Sequence, residues 1–244
     1  MVWVGANGGG INKWASKKQK FYKTHQYFSL PNSNSAFNND VWSILETEKL
    51  VLLGTDGHGI AVYNSDDLFV KKTDNLKYWI KHSGEVEGNF KKNQVLALLE
   101  YGNGILIGTA DGLYPITNLG KGSKYVKGVP KLKNKEISTI IKSETGEKII
   151  VGTSKGEVFL LDQNLDNLEE IDYEFGRIFH LAKVTSNQIL IGSQNGLYQI
   201  DLSTNKLTQI IWSKNERINL PNSTQIRSIS VSYTHLTLPT ICSV

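Results

Sequence analysis

The stretch that decides the fold is Val51-Leu52-Leu53-Gly54-Thr55-Asp56-Gly57-His58-Gly59-Ile60-Ala61-Val62-Tyr63. An apolar run ends at Gly54-Thr55, a glycine-rich turn follows, and a second apolar run ends on Tyr63. Short apolar runs bounded by glycine turns are typical of buried β-strands joined by a tight reversal. This stretch therefore predicts a β-hairpin.

The same phrase occurs five times along the chain. The glycine that closes its first strand recurs in steps of 49, 54, 44 and 40 residues, at Gly5, Gly54, Gly108, Gly152 and Gly192. A repeat of roughly 40–50 residues made of short strands is the signature of a β-propeller blade. Because helical periodicity is not sustained for three turns anywhere, we expect an all-β chain.

The repeat predicts an incomplete β-propeller of about five four-stranded blades. A partial first blade is expected at Val2–Val4, Gly10–Trp14 and Lys20–Thr24, and a sixth is expected to begin at Gln225–Ile229. The blades between them are predicted at Val41–Leu45, Val51–Gly54, Ile60–Tyr63 and Leu68–Lys72; Val95–Leu99, Ile105–Gly108, Leu113–Thr117 and Lys124–Lys127; Ile137–Lys142, Lys148–Gly152, Val158–Asp162 and Leu168–Ile171; and Ile178–Lys183, Gln188–Gly192, Leu197–Asp201 and Lys206–Ile211.

Local features refine this scheme. Pro115 lies inside a predicted strand, and because proline has no N–H group we expect an edge or bulged position there. Residues 73–92 are predicted to be a strand-poor insertion. Asp56, Asp111 and Asn195 recur beside the turn glycine, which indicates Asx-turn chemistry.

Composition excludes several classes of protein. The 244 residues carry a net charge of +4 with lysines spread over many turns, so nucleic-acid binding is not expected. One cysteine and no Cys–His cluster exclude a disulfide framework and a structural zinc site. No run of about 18 apolar residues occurs, so no membrane contact is expected. Neither a cofactor nor a metal is indicated, and no signal peptide is visible.

The two ends differ from the repeats between them. The chain opens on what is the second strand of the other copies, and the tail Val231–Thr240 resembles a translated transposon-end adaptor of the kind used in sequencing libraries. We therefore expect a partial propeller sensor domain over residues 1–230 and a non-native tail over residues 231–244.

Several phrases resemble the two-component regulator propeller repeat family. They are Val2-Trp3-Val4-Gly5, Leu53–Ile60, Gly196–Asp201 and the connectors Leu30-Pro31-Asn32-Ser33 and Leu220-Pro221-Asn222-Ser223. The resemblance covers nearly all of residues 2–230. The family pattern has a Trp in the Gly-Thr strand, which only the first copy keeps, and Gly156-Glu157 departs from its Gly-Leu pair.

The resemblance implies a function. Such repeats form seven-bladed propellers in the periplasmic sensor portion of bacterial hybrid histidine kinases, and many of these sensors are thought to detect oligosaccharides. It implies an oligosaccharide or other small ligand, a membrane-anchored, homodimeric parent kinase with phosphorelay activity, and further blades and downstream domains in the same polypeptide. This fragment itself is expected to bind and not to catalyse.

Four residues are candidates for ligand binding: Trp42, His58, Trp79 and Arg177. Aromatic rings stack on sugar C–H groups, and His or Arg can hydrogen-bond hydroxyls. Packing between blades is the alternative role for Trp42, and a solvated turn residue is the alternative for His58.

Two other functions remain open at this point. A propeller enzyme of the lyase type, acting on a polysaccharide, would need His, Arg, Tyr or carboxylates gathered on one face. The sequence contains no nucleophile, base and orienting residue at a spacing typical of catalysis, and no cluster of metal ligands. A protein-binding scaffold would instead show a broad exposed apolar patch.

Overall fold

A computed structural model of the chain describes residues 2–6, 10–14, 22–23, 40–65, 76–82, 91–125, 127–210 and 225–229. Within these residues the chain is all-β, apart from short 3₁₀ turns at Lys91–Asn93 and Pro130–Leu132. The predicted strand Leu68–Lys72 and the adaptor-like tail, residues 231–244, lie outside the described residues. No helix in the described ranges is long and apolar enough to cross a membrane.

The described strands form five sheets, one for each predicted blade. Sheet I contains β1 (Val2–Ala6), β2 (Gly10–Trp14) and β3 (Tyr22–Lys23), and sheet II contains β4 (Val41–Glu46), β5 (Leu50–Thr55), β6 (Ile60–Asn64) and β7 (Leu76–His82). Sheet III contains β8 (Val95–Tyr101), β9 (Gly104–Thr109) and β10 (Gly112–Ile116), while β11 (Lys124–Tyr125) follows it in the chain. Sheet IV contains β12 (Ile137–Lys142), β13 (Lys148–Thr153), β14 (Val158–Asp162) and β15 (Leu168–Ile171), and sheet V contains β16 (Ile178–Lys183), β17 (Gln188–Ser193), β18 (Gly196–Asp201) and β19 (Lys206–Ile210).

Strand β11 departs from the predicted blade scheme. It was expected to be the fourth strand of its own blade, but it pairs in parallel with β7 of sheet II, Lys124 opposite Lys81 and Tyr125 opposite His82. Strand β10 is thereby left as an edge strand of sheet III, and it contains Pro115. The edge position predicted for Pro115 is confirmed, because a residue without an N–H group cannot donate to a further strand.

The predicted insertion at residues 73–92 is wrong in part. Leu76–His82 is the fourth strand of sheet II, and Trp79 lies within it opposite Ala61 of β6. The burial of this strand explains the difference, since Ile80 is fully buried while Lys77 and Lys81 are exposed. That alternation is the pattern of a half-buried strand and not of a loop.

Apolar side chains fill the space between neighbouring sheets. The second strand of a sheet, such as β5, is covered on both faces, which is why its sequence is a continuous apolar run and does not alternate. Leu52 packs toward sheet III with Val95 and Ile105, and Val51 packs on the opposite face of sheet II. Further clusters of the same kind join sheet III to IV and sheet IV to V.

The repeated glycine marks the closest approach between sheets. A Cβ atom added at Gly152 would lie 2.6 Å from Ile178 Cγ2 of the next sheet, and one added at Gly54 would lie 2.6 Å from Val95 Cγ1. Gly108 meets Ile137 in the same way, and Gly192 meets Ile226. Residues 225–229 therefore occupy, relative to sheet V, the place of the first strand of a further blade, as predicted.

One end of each sheet brings together strand ends and turns from different parts of the chain. Because neighbouring strands are antiparallel, the start of the first strand, the turn between the second and third strands and the end of the fourth lie together. We call this end the upper face. Hydrogen bonds join it across sheets: Gly59 N donates to Asn93 O at 2.8 Å, and Asn134 N donates to Asp111 O at 2.9 Å.

Candidate ligand-binding face

Buried hydroxyl groups shape the turns of the upper face. Thr55 Oγ1 donates to the carbonyl of Gly59 at 2.8 Å, and Thr109 and Ser193 make the equivalent bonds in their own turns. Their oxygens also accept backbone N–H groups, for example that of His58 at 3.2 Å. Thr or Ser thus makes the recurring hydrogen bond of these turns.

The structural role predicted for Asp56, Asp111 and Asn195 agrees with their contacts, but the bonds described for these side chains are not Asx-turn bonds. Asp56 Oδ1 accepts a bond of 2.7 Å from Gln94 Nε2 of sheet III. Asp111 Oδ2 accepts one of 3.2 Å from Tyr114, and Asn195 Nδ2 donates to Glu174 O at 3.0 Å. These side chains fix the turns to their surroundings, while the hydroxyl groups fix the turns internally.

The first strand of each of sheets II to V has a β-bulge near its start, on the upper face. The register shifts between Val41 and Ser43 in β4, and at the corresponding point in β8, β12 and β16. These first strands are edge strands of their sheets and lie against one another in the order β4, β8, β12 and β16. Bulges commonly re-aim a side chain beside a functional site.

We call the residue before each first strand and the residue at its bulge the upper rim. Both sets of residues follow from an alignment of the first strands, in which the apolar residue that contacts the repeated glycine is the fixed position. The residues before the strands are Asp40, Gln94, Glu136 and Arg177, and those at the bulge are Trp42, Leu96, Ser138 and Phe179. Gln225 and Arg227 flank Ile226 in the same way, in a segment that forms no strand.

Trp42 is the most exposed large apolar side chain of the rim, with 50% of its surface accessible. The indole lies at the bulge of β4, whereas Val41 before it is buried. Half of the Trp42 surface is thus accessible to solvent, and packing between blades stays the alternative role for the other half. An exposed indole is suited to stacking on a sugar ring.

Arg177 lies on the rim three sheets away from Trp42, just before β16. One of its guanidinium nitrogens is 3.4 Å from Glu136 Oε1, and its guanidinium carbon is 5.9 Å from the centre of the Phe179 ring. Arg227 approaches the same ring at 5.6 Å and also bonds Gln225 Oε1 at 3.3 Å. This part of the rim combines hydrogen-bond donors and acceptors with one aromatic ring.

His58 and Trp79 are brought together on the upper part of sheet II. Their ring centres are 6.5 Å apart, and Lys81 Nζ lies 5.8 Å from the Trp79 ring. Trp79 is partly buried against Ala61 and its neighbours, and its buried Nε1 has no hydrogen-bond partner among the described residues. This pair is separate from the rim, so the four predicted site residues do not form one cluster.

Burial lowers the pKa of His58 below its ordinary value of 6.5, although the hydrogen bond to the Asp56 backbone acts in the opposite direction. Lys81 lowers it further by charge repulsion. Burial also lowers the pKa of His180 in β16. Both rings are therefore held neutral in the folded protein to a lower pH than in an unfolded chain. No group of three metal-ligating side chains occurs in the part of the chain that the structure describes.

Sequence reasoning missed most of the rim. Gln94, Glu136, Phe179 and Arg227 were not candidates, yet they occupy the same two repeat positions as Arg177 and Trp42. Aligning the copies on the first buried β-branched residue of each first strand would have found them. Only their position in the repeat identifies these residues, because the residue types at these positions differ from one blade to the next.

Comparison with known proteins supports the fold. No protein-family model matches the sequence, and no curated protein matches it. Among solved structures, the extracellular domain of a protein described as a hybrid two-component system of B. thetaiotaomicron matches with a TM-score of 0.62 and 18% identity, over 84% of this chain and 28% of that one.

Two further structures have the same architecture. The WD40 β-propeller domain of Doa1 matches with a TM-score of 0.57 and 15% identity, over 83% of this chain and 62% of that one. An ancestral GH74 enzyme matches with a TM-score of 0.52 and 20% identity, over 72% and 24%. The chain spans less than two thirds of the length of each of these three structures. The described sheets therefore have a β-propeller fold, and that fold resembles the extracellular domain of a two-component system.

Proposed function

We propose that this chain is the ligand-binding part of an extracytoplasmic sensor of the two-component type, and that its ligand is an oligosaccharide. The observation that carries the proposal is the half-exposed indole of Trp42 at the bulge of β4. Exposed aromatic rings flanked by polar groups are the usual means by which proteins hold sugars. The fold likeness to an extracellular sensor domain supports the same conclusion.

The proposal includes the architecture of the parent protein. We infer that the sheets described above are about five blades of a seven-bladed ring, whose other blades belong to the same polypeptide. The parent would be a periplasmic sensor anchored in the inner membrane and a homodimeric hybrid histidine kinase. Ligand binding at the rim would reach the kinase by a conformational change, and the propeller itself would catalyse no reaction.

The rim offers chemistry that suits a neutral polyhydroxyl ligand. Trp42 supplies an aromatic face, and Glu136, Arg177 and Gln225 supply acceptors and donors for hydroxyl groups. The pair between Arg177 and Glu136 is exposed on both sides, with 46% and 40% of the side chains accessible. Exposed ion pairs are weak, so the two groups can exchange partners with a ligand at little cost.

One observation favours the alternative that the protein is an enzyme, namely the fold likeness to a GH74 enzyme. Glycoside hydrolysis commonly uses two carboxylates facing one cleft. On the rim, Glu136 is engaged with Arg177. Release of reducing ends from a polysaccharide, abolished in Glu136→Gln, would favour catalysis over sensing.

Isothermal titration calorimetry with a panel of neutral oligosaccharides tests the proposal. We expect at least one to bind the full chain and expect Trp42→Ala to weaken that binding about tenfold, since stacked aromatic contacts contribute on the order of 1 kcal/mol or more. Leu96→Ala is the matched control, because Leu96 occupies the same bulge position in β8 without an aromatic ring. Equal losses in both variants, or no binding by any sugar, would contradict the proposal.

A further inference from the structure

A concave site lies on the upper face, lined by residues other than those of the rim. It is a cleft of about 370 Å³ between the turn before β10 and the segment Lys127–Lys133, which we call the strap. Lys92, Lys127 and Lys133 line it together with Asp111 and Tyr114. The volume is within the range of sites that hold small ligands.

Charge distinguishes this cleft from the rim. Three ammonium groups face one carboxylate, so the lining has a net positive charge. The neighbouring Lys135 is paired with Glu157, whereas neither Lys127 nor Lys133 has a carboxylate within ion-pairing distance among the described residues. Both of these lysines are exposed, so their ammonium groups are available to a ligand from solvent.

The walls of the cleft are built from fixed backbone. Val129 N donates to Leu113 O of β10 at 2.8 Å. Asn134 N, directly after the strap, donates to Asp111 O of the β9–β10 turn at 2.9 Å, so the strap is tied to this hairpin at two points. Gly128 lies against Tyr114, since a Cβ added there would be 3.0 Å from Tyr114 Cε1. A rigid wall preserves the spacing of the lysines and reduces the entropy lost when a ligand binds.

The remaining groups suit a sugar ring. Pro130 is exposed and gives a small apolar side, with Leu113 and Val129 buried in the core, and Tyr114 holds the Asp111 carboxylate with a bond of 3.2 Å. A carboxylate fixed in this way accepts hydroxyl protons, and a ring can lie against the apolar side. An ammonium pair beside them matches the carboxylate of a uronic acid or a sulfate ester.

We propose that the lysines of this cleft, Lys92, Lys127 and Lys133, bind the acidic group of a uronic-acid-containing or sulfated oligosaccharide, while Asp111 accepts a hydroxyl group of the same sugar. This inference rests on the proposed function, because it names the class of oligosaccharide. It adds a second subsite, so an acidic chain could be recognised by its charge in the cleft while a neutral unit stacks at the rim.

Calorimetry on the full chain tests the inference. The probes are tetragalacturonic acid, a chondroitin sulfate tetrasaccharide, neutral cellotetraose and sodium sulfate, each at low and high salt. We expect at least one acidic tetrasaccharide to bind more tightly than cellotetraose, with affinity that falls as salt rises. Sodium sulfate is expected to compete only weakly. Binding of tetragalacturonic acid would show that a carboxylate suffices for recognition. Binding of the chondroitin sulfate tetrasaccharide alone would point to the sulfate ester, because that probe carries both groups.

The decisive variant is the double substitution Lys127→Met with Lys133→Met. It should weaken binding of the acidic tetrasaccharide about tenfold and remove most of its salt dependence, because two charge-assisted hydrogen bonds are lost. The matched control is Lys131→Met with Lys155→Met, which removes two exposed charges that do not line the cleft. Far-ultraviolet circular dichroism establishes that both variants fold.

The outcomes separate this inference from the proposed function. Binding of cellotetraose without binding of either acidic probe would overturn the acidic subsite and leave sugar sensing intact. Equal losses in the two double variants, or equal competition by sodium sulfate, would also overturn it. Failure of every sugar to bind would contradict the proposed function as well.

Discussion

Gln94 Nε2 donates a hydrogen bond of 2.7 Å to Asp56 Oδ1, and this bond joins sheet III to sheet II across the upper face. Gln94 is the rim residue before β8, and Asp56 belongs to the turn that contains His58. The bond therefore couples the rim to the turns around it. A ligand that displaced Gln94 would change the support of the neighbouring blade.

Replacing Gln94 by leucine should destabilise the protein by about 1 kcal/mol, because a partly buried carboxylate loses its donor. Urea unfolding followed by tryptophan fluorescence measures the change in free energy. Gln163→Leu is the control, since that side chain is exposed. An unchanged unfolding free energy in Gln94→Leu would show that the bond does not hold the sheets together.

Gly152→Ala should be destabilising by about 2 kcal/mol, because the new methyl group overpacks the contact with Ile178 in sheet V. A Cβ atom added at Gly152 would lie 2.6 Å from Ile178 Cγ2 and 2.8 Å from Thr139 Cγ2. Gly120→Ala is the control, with Ser123 Oγ at 3.9 Å as its nearest neighbour. Thermal unfolding by calorimetry compares the two, and equal melting temperatures would refute the close approach.

Tyr125→Phe should cost about 1–2 kcal/mol of stability, because its buried hydroxyl donates to Lys92 O at 2.7 Å and lies 3.0 Å from Asn93 Oδ1. The substitution leaves the ring contacts with His82 and Tyr114 in place. Tyr101→Phe, whose hydroxyl bond to Gln163 O is exposed, is the control and should change stability much less. An unchanged stability of Tyr125→Phe would mean that this hydroxyl group does not anchor β11 to the 3₁₀ turn at Lys91–Asn93.

Stability should fall as the pH drops below neutrality. Because the folded-state pKa values of His58 and His180 lie below the ordinary 6.5, the unfolded chain binds protons first. The stabilisation is complete above pH 6.5 and is lost as the pH falls through the folded-state values. Urea unfolding at a series of pH values measures the slope. The double variant His58→Gln with His180→Gln should flatten it, and an unchanged slope would be evidence against this origin.

Much of the fold could be predicted from the sequence, because the glycine-marked hairpin repeats in every blade. In sheets IV and V, each strand begins and ends within one residue of its predicted bounds. The fourth strand of sheet II and the pairing of β11 could not be predicted. The last strand of a sheet is only half buried, so its sequence carries a weaker hydrophobic pattern. Strand β11 has only two residues, of which Tyr125 alone is buried, so it contains no apolar run that could predict it.

The candidate site was predicted less completely. Trp42 and Arg177 lie on the rim, whereas His58 and Trp79 form a separate pair on sheet II. Residue type alone singled out aromatic and histidine side chains, but the bulge position decides which side chains reach the rim. The lysine-lined cleft depends on how residues 127–133 fold back over the β9–β10 turn, and no sequence period encodes that contact.

Fluorine NMR of the full chain labelled with fluorotryptophan tests the central claim most directly. The chain has five tryptophans, and Trp42→Phe identifies the Trp42 resonance by its loss. Titration with a bound oligosaccharide should shift the Trp42 resonance most, because the sugar stacks on an indole that is 50% exposed. An unchanged Trp42 resonance while the sugar binds would contradict a ligand site at the rim.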